Sequence, residues 1–202
     1  MSEYTDYYAI HAPSLDALKA TLEANNIRAV IDMEEVPGAS GCGVHLRRGE
    51  YEALPPARRW APVLTEATLE QLGALFPRVV WLTVHENKYW WRFEASLHKK
   101  VVRFLFSDTV WGNCGAEGDE ELLVASQTPT PEQLGLLEEL FGVPRVELLP
   151  YLNMDGMNMD GLEGFAKVTG IPLHILTNQG LTLFEECIPE GRTVIFLDDF
   201  LD

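Results

Sequence analysis

The run Tyr7–His11 is β-prone, and behind it Pro13-Ser14 followed by Leu15, Leu18 and Leu22 at helical spacing predicts a capped helix that Asn25-Asn26 ends. Ile27–Ile31 reads as a second strand. Glu34–Gly43, with Pro37, Gly38, Gly41 and Gly43, reads as a loop, Val44–Leu46 as a further short strand, and Pro55–Arg59 as another loop. A second helix is expected to begin after Thr65, to carry Leu69, Leu72 and Phe76, and to stop before Pro77, because the residue ahead of a proline is pushed out of the helical region.

Three β-prone runs follow, Val79–Glu86, Tyr89–Ser96 and Val101–Ser107. In the middle run Tyr89, Trp91, Phe93 and Ala95 alternate with Trp90, Arg92, Glu94 and Ser96, which gives one apolar face and one mixed face. Asn87-Lys88 and Leu97–Lys100 supply the links of an antiparallel meander. Beyond the glycine- and acid-rich stretch Gly112–Glu121, Thr130-Pro131-Glu132-Gln133 places a cap, a first-turn proline and a capping-box glutamine in order. Leu134, Leu137 and Phe141 form the stripe of that helix, and Gly142 with Pro144 ends it. Asp160 is expected to open a shorter helix through Leu162, Phe165 and Ala166 that Gly170 and Pro172 close. Leu173–Leu176, Leu181–Phe184 and Thr193–Leu197 read as terminal strands, with Asn178-Gln179-Gly180 as a hairpin turn.

These elements predict an α+β fold with antiparallel sheets, a Trp-rich three-stranded meander in the first half, and about four packed helices. The expected organisation is an α+β lobe over 1–111, an acidic, glycine-containing loop or linker over 112–128, and an acidic α+β lobe over 129–202. A single compact unit is the alternative.

Charge alters this picture more than composition does. The 202 residues carry a net charge of −16. Residues 1–110 hold 14 acids and 12 cations, whereas residues 111–202 hold 17 acids and only Arg145, Lys167 and Arg192 as cations. Such a field repels phosphates and anionic membranes and attracts basic surfaces, so neither nucleic acid nor membrane is an expected partner. The acidic start of the chain, the lack of a long apolar stretch, and three scattered cysteines (Cys42, Cys114 and Cys187) fit a cytoplasmic protein without a disulfide framework.

Candidate chemistry is sparse. Asn153–Leu162 duplicates a five-residue unit and invites a calcium-loop reading, but the register puts Gly156 and Lys167 where oxygen ligands belong. Cys114 is followed by Glu117, Asp119, Glu120 and Glu121, whose charge disfavours a thiolate. The glycine-flanked Cys42 matches no phosphate or dinucleotide loop. The histidines 11, 45, 85, 98 and 174 show no metal-binding spacing, and His85-Glu86 is the sequence-adjacent pair closest to an acid–base couple. No cofactor, metal ligand or catalytic residue is therefore assigned.

The expected function is that of a non-enzymatic acidic protein, of inhibitor, antitoxin or immunity type, that docks on a basic protein partner. Glu117, Asp119, Glu120, Glu121, Asp198 and Asp199 would form the charged surface, and Trp90 an anchor on the mixed face of the meander. The alternatives are a small hydrolase-like enzyme whose His45, His85 or Cys114 converge only in three dimensions, and an oligomeric scaffold. Partner identity and oligomeric state are not specified by these features.

Overall fold

A computed structural model describes residues 6–35, 46–85, 90–107, 130–152, 159–172 and 191–195. Its frame is a seven-stranded sheet built from β1 (Asp6–His11), β2 (Ala29–Ile31), β5 (Trp60–Thr65), β6 (Arg78–His85), β7 (Trp90–Leu97), β8 (Lys100–Ser107) and β9 (Thr193–Ile195). The strand order is β8-β7-β6-β1-β5-β2-β9, and every neighbouring pair is antiparallel. A short parallel pair, β3 (Met33–Glu34) with β4 (Leu46–Arg47), lies beside it.

Helix α1 (Leu15–Ala24) joins β1 to β2, and α3 (Leu69–Leu75) joins β5 to β6. The central strand order β6-β1-β5-β2 with these two crossovers is the βαββαβ arrangement of ferredoxin-like folds, here extended at both edges. The insertion between β2 and β5 carries β3, β4 and α2 (Arg48–Ala53).

The two-residue side-chain period divides the central strands between two cores. Tyr8, Ile10, Ala29, Ile31, Ala61, Val63 and Val79 face Leu15, Leu18 and Leu22 of α1, Tyr51 of α2, and Leu69 and Leu72 of α3. Tyr7, Ala9, Val30, Trp60, Leu64 and Val80 face the other way. There they pack with Leu137, Leu140 and Phe141 of α4 (Pro131–Phe141), Leu148 of α5 (Arg145–Leu148) and Phe165 of α6 (Met159–Thr169). Helices thus cover both faces of one antiparallel sheet, giving an α+β architecture. The expected boundary at 112–128 lies outside the described residues.

Several elements differ from expectation. Six α-helices occur among the described residues where about four were expected, the extra ones being the short α2 and α5. Strands β6, β7 and β8 form one flank of the large sheet rather than a sheet of their own. The face carrying Ser96, expected to be mixed, is covered there by α3: Ser96 is buried, and a Cβ on Gly73 would lie 2.0 Å from its Oγ. Strand β5 escapes the pattern because it is buried along its whole length and contains Pro62. The proline is tolerated because β2 ends opposite it: Asp32 N donates to Pro62 O at 2.8 Å, and the β2–β5 pairing stops at Ile31–Val63.

The cap of α3 is Thr68, whose side chain accepts from Gln71 N while Gln71 Oε1 accepts from Thr68 N. Thr65, the expected start, ends β5 instead and donates to Arg28 O at 2.7 Å. Helix α6 begins at Met159, so Asp160 lies in its first turn. The Thr130 capping box and the left-handed Gly142 are found as expected.

Candidate functional site

At one end of the sheet, strand termini and loops converge on an open cleft of about 560 Å³. His11 is the last residue of β1, Arg78 the first of β6 after Pro77, and His98 opens the β7–β8 turn. Glu139 reaches the cleft from α4, and Ala17, Leu18, Leu75 and Phe76 supply its apolar wall from α1 and α3. The turn is tight because His98 and Lys99 both adopt left-handed backbone, φ 49° and 67°, as a two-residue hairpin turn with matching twist requires. His98 N also donates to Pro77 O at 2.9 Å, which fixes the turn against the start of β6.

The floor is held in place by a small network. Tyr51 Oη donates to Ala12 O at 2.6 Å, and Arg59 donates to Pro13 O, Leu54 O and Glu52 O at 2.8, 3.0 and 3.0 Å. One guanidinium and one phenol therefore fix the chain between β1 and α1, leaving the cleft preformed. Burial pushes the Tyr51 hydroxyl well above its usual pKa, so it remains a donor.

The polar groups fall into two linked pairs. His98 Nε2 lies 2.8 Å from Glu139 Oε1, with both side chains largely exposed. His11 Nε2 lies 3.1 Å from Arg78 Nη2 and 3.0 Å from Pro56 O. Guanidinium only donates, so a neutral His11 protonated at Nδ1 accepts from Arg78, whereas the other tautomer donates to Pro56. Burial first, and Arg78 second, hold His11 below the usual imidazole pKa. Its ring also stands edge-on to Trp60, with centroids 5.5 Å apart.

Arg78 has a structural task as well: Nη1 donates at 3.2 Å to Leu140 O, one of the carbonyls left without an intrahelical partner at the end of α4. Burial lowers the Arg78 pKa and the charge of Glu139 raises it. Among the described residues no carboxylate lies within ion-pair distance of Arg78. The cleft thus offers a cation, two imidazoles and a carboxylate beside an apolar wall, which suits charge recognition. No serine or cysteine is among its described lining residues.

Sequence reasoning did not foresee this grouping. His11, Arg78, His98 and Glu139 are separated by tens of residues, and only the chain crossings of the sheet bring them together. Of the expected site residues, Glu117, Asp119, Glu120, Glu121, Asp198 and Asp199 lie outside the described residues, as do His45 and Cys114. Trp90 stands in β7 opposite His85 of β6 and Ser107 of β8. No group of His, Cys, Asp or Glu among the described residues could hold a metal ion, and no helix there is long and apolar enough to cross a membrane.

Three carboxylates of α4 and α5 face basic or imidazole side chains. Glu138 pairs with Arg145 at 2.7 Å, Glu147 with Arg58 at 3.1 Å, and Glu139 meets His98. Bonds from the Arg145 backbone and then its side chain hold Glu138 below the usual carboxylate range. No protein-family model, curated protein or solved structure matches this chain.

Proposed function

We propose that this chain is a non-enzymatic binding protein of inhibitor, antitoxin or immunity type, which docks on a basic protein through its acidic segments. The observation that carries the reading is the split in charge. Residues 1–110 hold 14 acids and 12 cations whereas residues 111–202 hold 17 acids and 3 cations, so nearly all of the net −16 lies in the second part of the chain, in runs such as Glu117–Glu121 and Asp198–Asp202. Charge of one sign gathered in this way raises encounter rates with a basic surface.

Affinity capture from a native extract at low salt, repeated at high salt, tests the proposal. A basic protein retained at low salt and released at high salt is the expected outcome. An acidic partner, or one indifferent to salt, would overturn it. The cleft favours a second reading, binding of a small molecule, because its charged groups converge on preformed apolar walls.

A further inference from the structure

We infer that the cleft between the β1 and β6 termini binds a small organic monocarboxylate with an apolar body, its carboxylate seated on Arg78. Several observations meet here. The space, about 560 Å³, is of the size that small-molecule sites take. Arg78 spends one nitrogen on Leu140 O and another on His11, which leaves N–H donors of its five unassigned and its charge without a carboxylate at ion-pair distance among the described residues. Guanidinium is planar and matches a carboxylate with two parallel bonds, so this is the group that would fill the gap.

Opposite it, Ala17, Leu18, Leu75 and Phe76 offer apolar surface. The loop between β1 and α1 is already fixed by Tyr51 and Arg59, so little ordering accompanies binding. Glu139 faces the same space and limits the charge that fits: one carboxylate is balanced by Arg78, whereas a second would meet Glu139. With its proton on Nδ1, a neutral His11 would accept from Arg78 and help aim the guanidinium without adding charge.

The test uses 3-phenylpropanoate, with 3-phenylpropanamide and phenylsuccinate as comparisons, followed by NMR on the His11 and His98 ring resonances of the full chain. Saturable shifts are expected with the monocarboxylate, and affinities at least about tenfold weaker with the neutral amide and the dianion. Arg78→Gln should weaken the monocarboxylate by about tenfold or more and leave the amide unchanged. Because Arg78 also caps α4, a second variant guards against loss of fold. Ala17→Trp, on the exposed first turn of α1, should fill the apolar wall and abolish binding while the melting curve stays that of the wild type. Equal binding of acid and amide, or no shift of either histidine in the folded wild type, would overturn the inference.

Discussion

Asp32, just beyond β2, and Arg192, just ahead of β9, form an ion pair with both side chains almost fully buried, across 160 residues of chain. The second carboxylate oxygen of Asp32 accepts from Tyr7 Oη at 2.9 Å. Edge strand β9 is only three residues long, and this pair secures it beside β2, aided by Thr193 Oγ1 donating to Glu35 Oε1 at 2.8 Å. Removing one partner takes the counter-charge from a buried ion, so Asp32→Ala or Arg192→Ala should each cost about 3–5 kcal/mol. Replacing both with apolar residues of similar volume, Asp32→Leu with Arg192→Met, should cost less than either single change. Denaturant melts of the three variants check the ordering.

A buried glycine sets the distance between α3 and the sheet. A Cβ on Gly73 would lie 2.0 Å from Ser96 Oγ and 2.5 Å from Ser96 Cβ, and Ser96 is itself buried in β7. Gly73→Ala should therefore destabilise by about 1–3 kcal/mol through overpacking. Adding Ser96→Gly should recover most of the loss, whereas Ser96→Ala should not, since the clash reaches Cβ. Midpoints of urea unfolding distinguish these cases.

What could be read from the sequence follows from local physics. Ser14 ahead of α1, the Thr130–Gln133 box and Gly142 are decided by hydrogen bonds within a few residues, and each stands where the pattern puts it. Strand β5 could not be read this way. Its burial on both faces erases the two-residue alternation, and Pro62 argues against a central strand unless the end of β2 is already known. The cleft was hidden for a related reason, since Arg78 and His11 meet only because β1 pairs with β6. Thr65 and Thr68 both offer a hydroxyl ahead of α3, and the choice falls on Thr68 because only it has Gln71 three residues on.

Helix α4 should respond to its ends independently of any binding. Thr130→Ala removes the acceptor for Gln133 N and should cost about 1 kcal/mol. Gly142→Ala should cost a similar amount or more, because φ is 64° and the new methyl would stand 3.1 Å from Ala57 Cβ. Thermal melts paired with partner capture separate stability from binding. Either variant losing capture at unchanged stability would show that this helix end is itself a contact.

His11 should make stability fall on mild acidification. Its pKa in the folded chain lies below the ordinary value of 6.5, first through burial and then through Arg78, so the unfolded chain binds the proton more readily. The stability it permits is complete above that ordinary value. It is lost as pH falls from there to the depressed folded pKa, after which the loss is constant. Glutamine can accept from Arg78 without titrating, so His11→Gln should flatten this part of the stability–pH curve. Urea titrations of both proteins from about pH 8 to about pH 5 provide the check, and identical slopes would remove His11 as the cause.

The remaining prediction concerns the acidic segments, on which the proposed function depends. If they steer association, their effect belongs to the encounter and not to the bound contact. Neutralising Glu117, Asp119, Glu120 and Glu121 together, as Gln or Asn, should slow association with a captured basic partner several-fold and leave dissociation nearly unchanged. The difference from wild type should shrink with added salt, because the Debye length falls from about 10 Å at 0.1 M to about 3 Å at 1 M. Neutralising Glu138 and Glu147 instead should change the on-rate less, since it removes two negative charges rather than four. That control matters because it removes the same kind of charge from the scaffold rather than from the segment. A quadruple variant whose loss appeared in the off-rate would mean that these carboxylates are buried against the partner, as a paired charge at the centre of an interface would be. A loss shared equally by both sets of variants would point to net charge alone, and Trp90→Ala would then be the comparison that locates the contact.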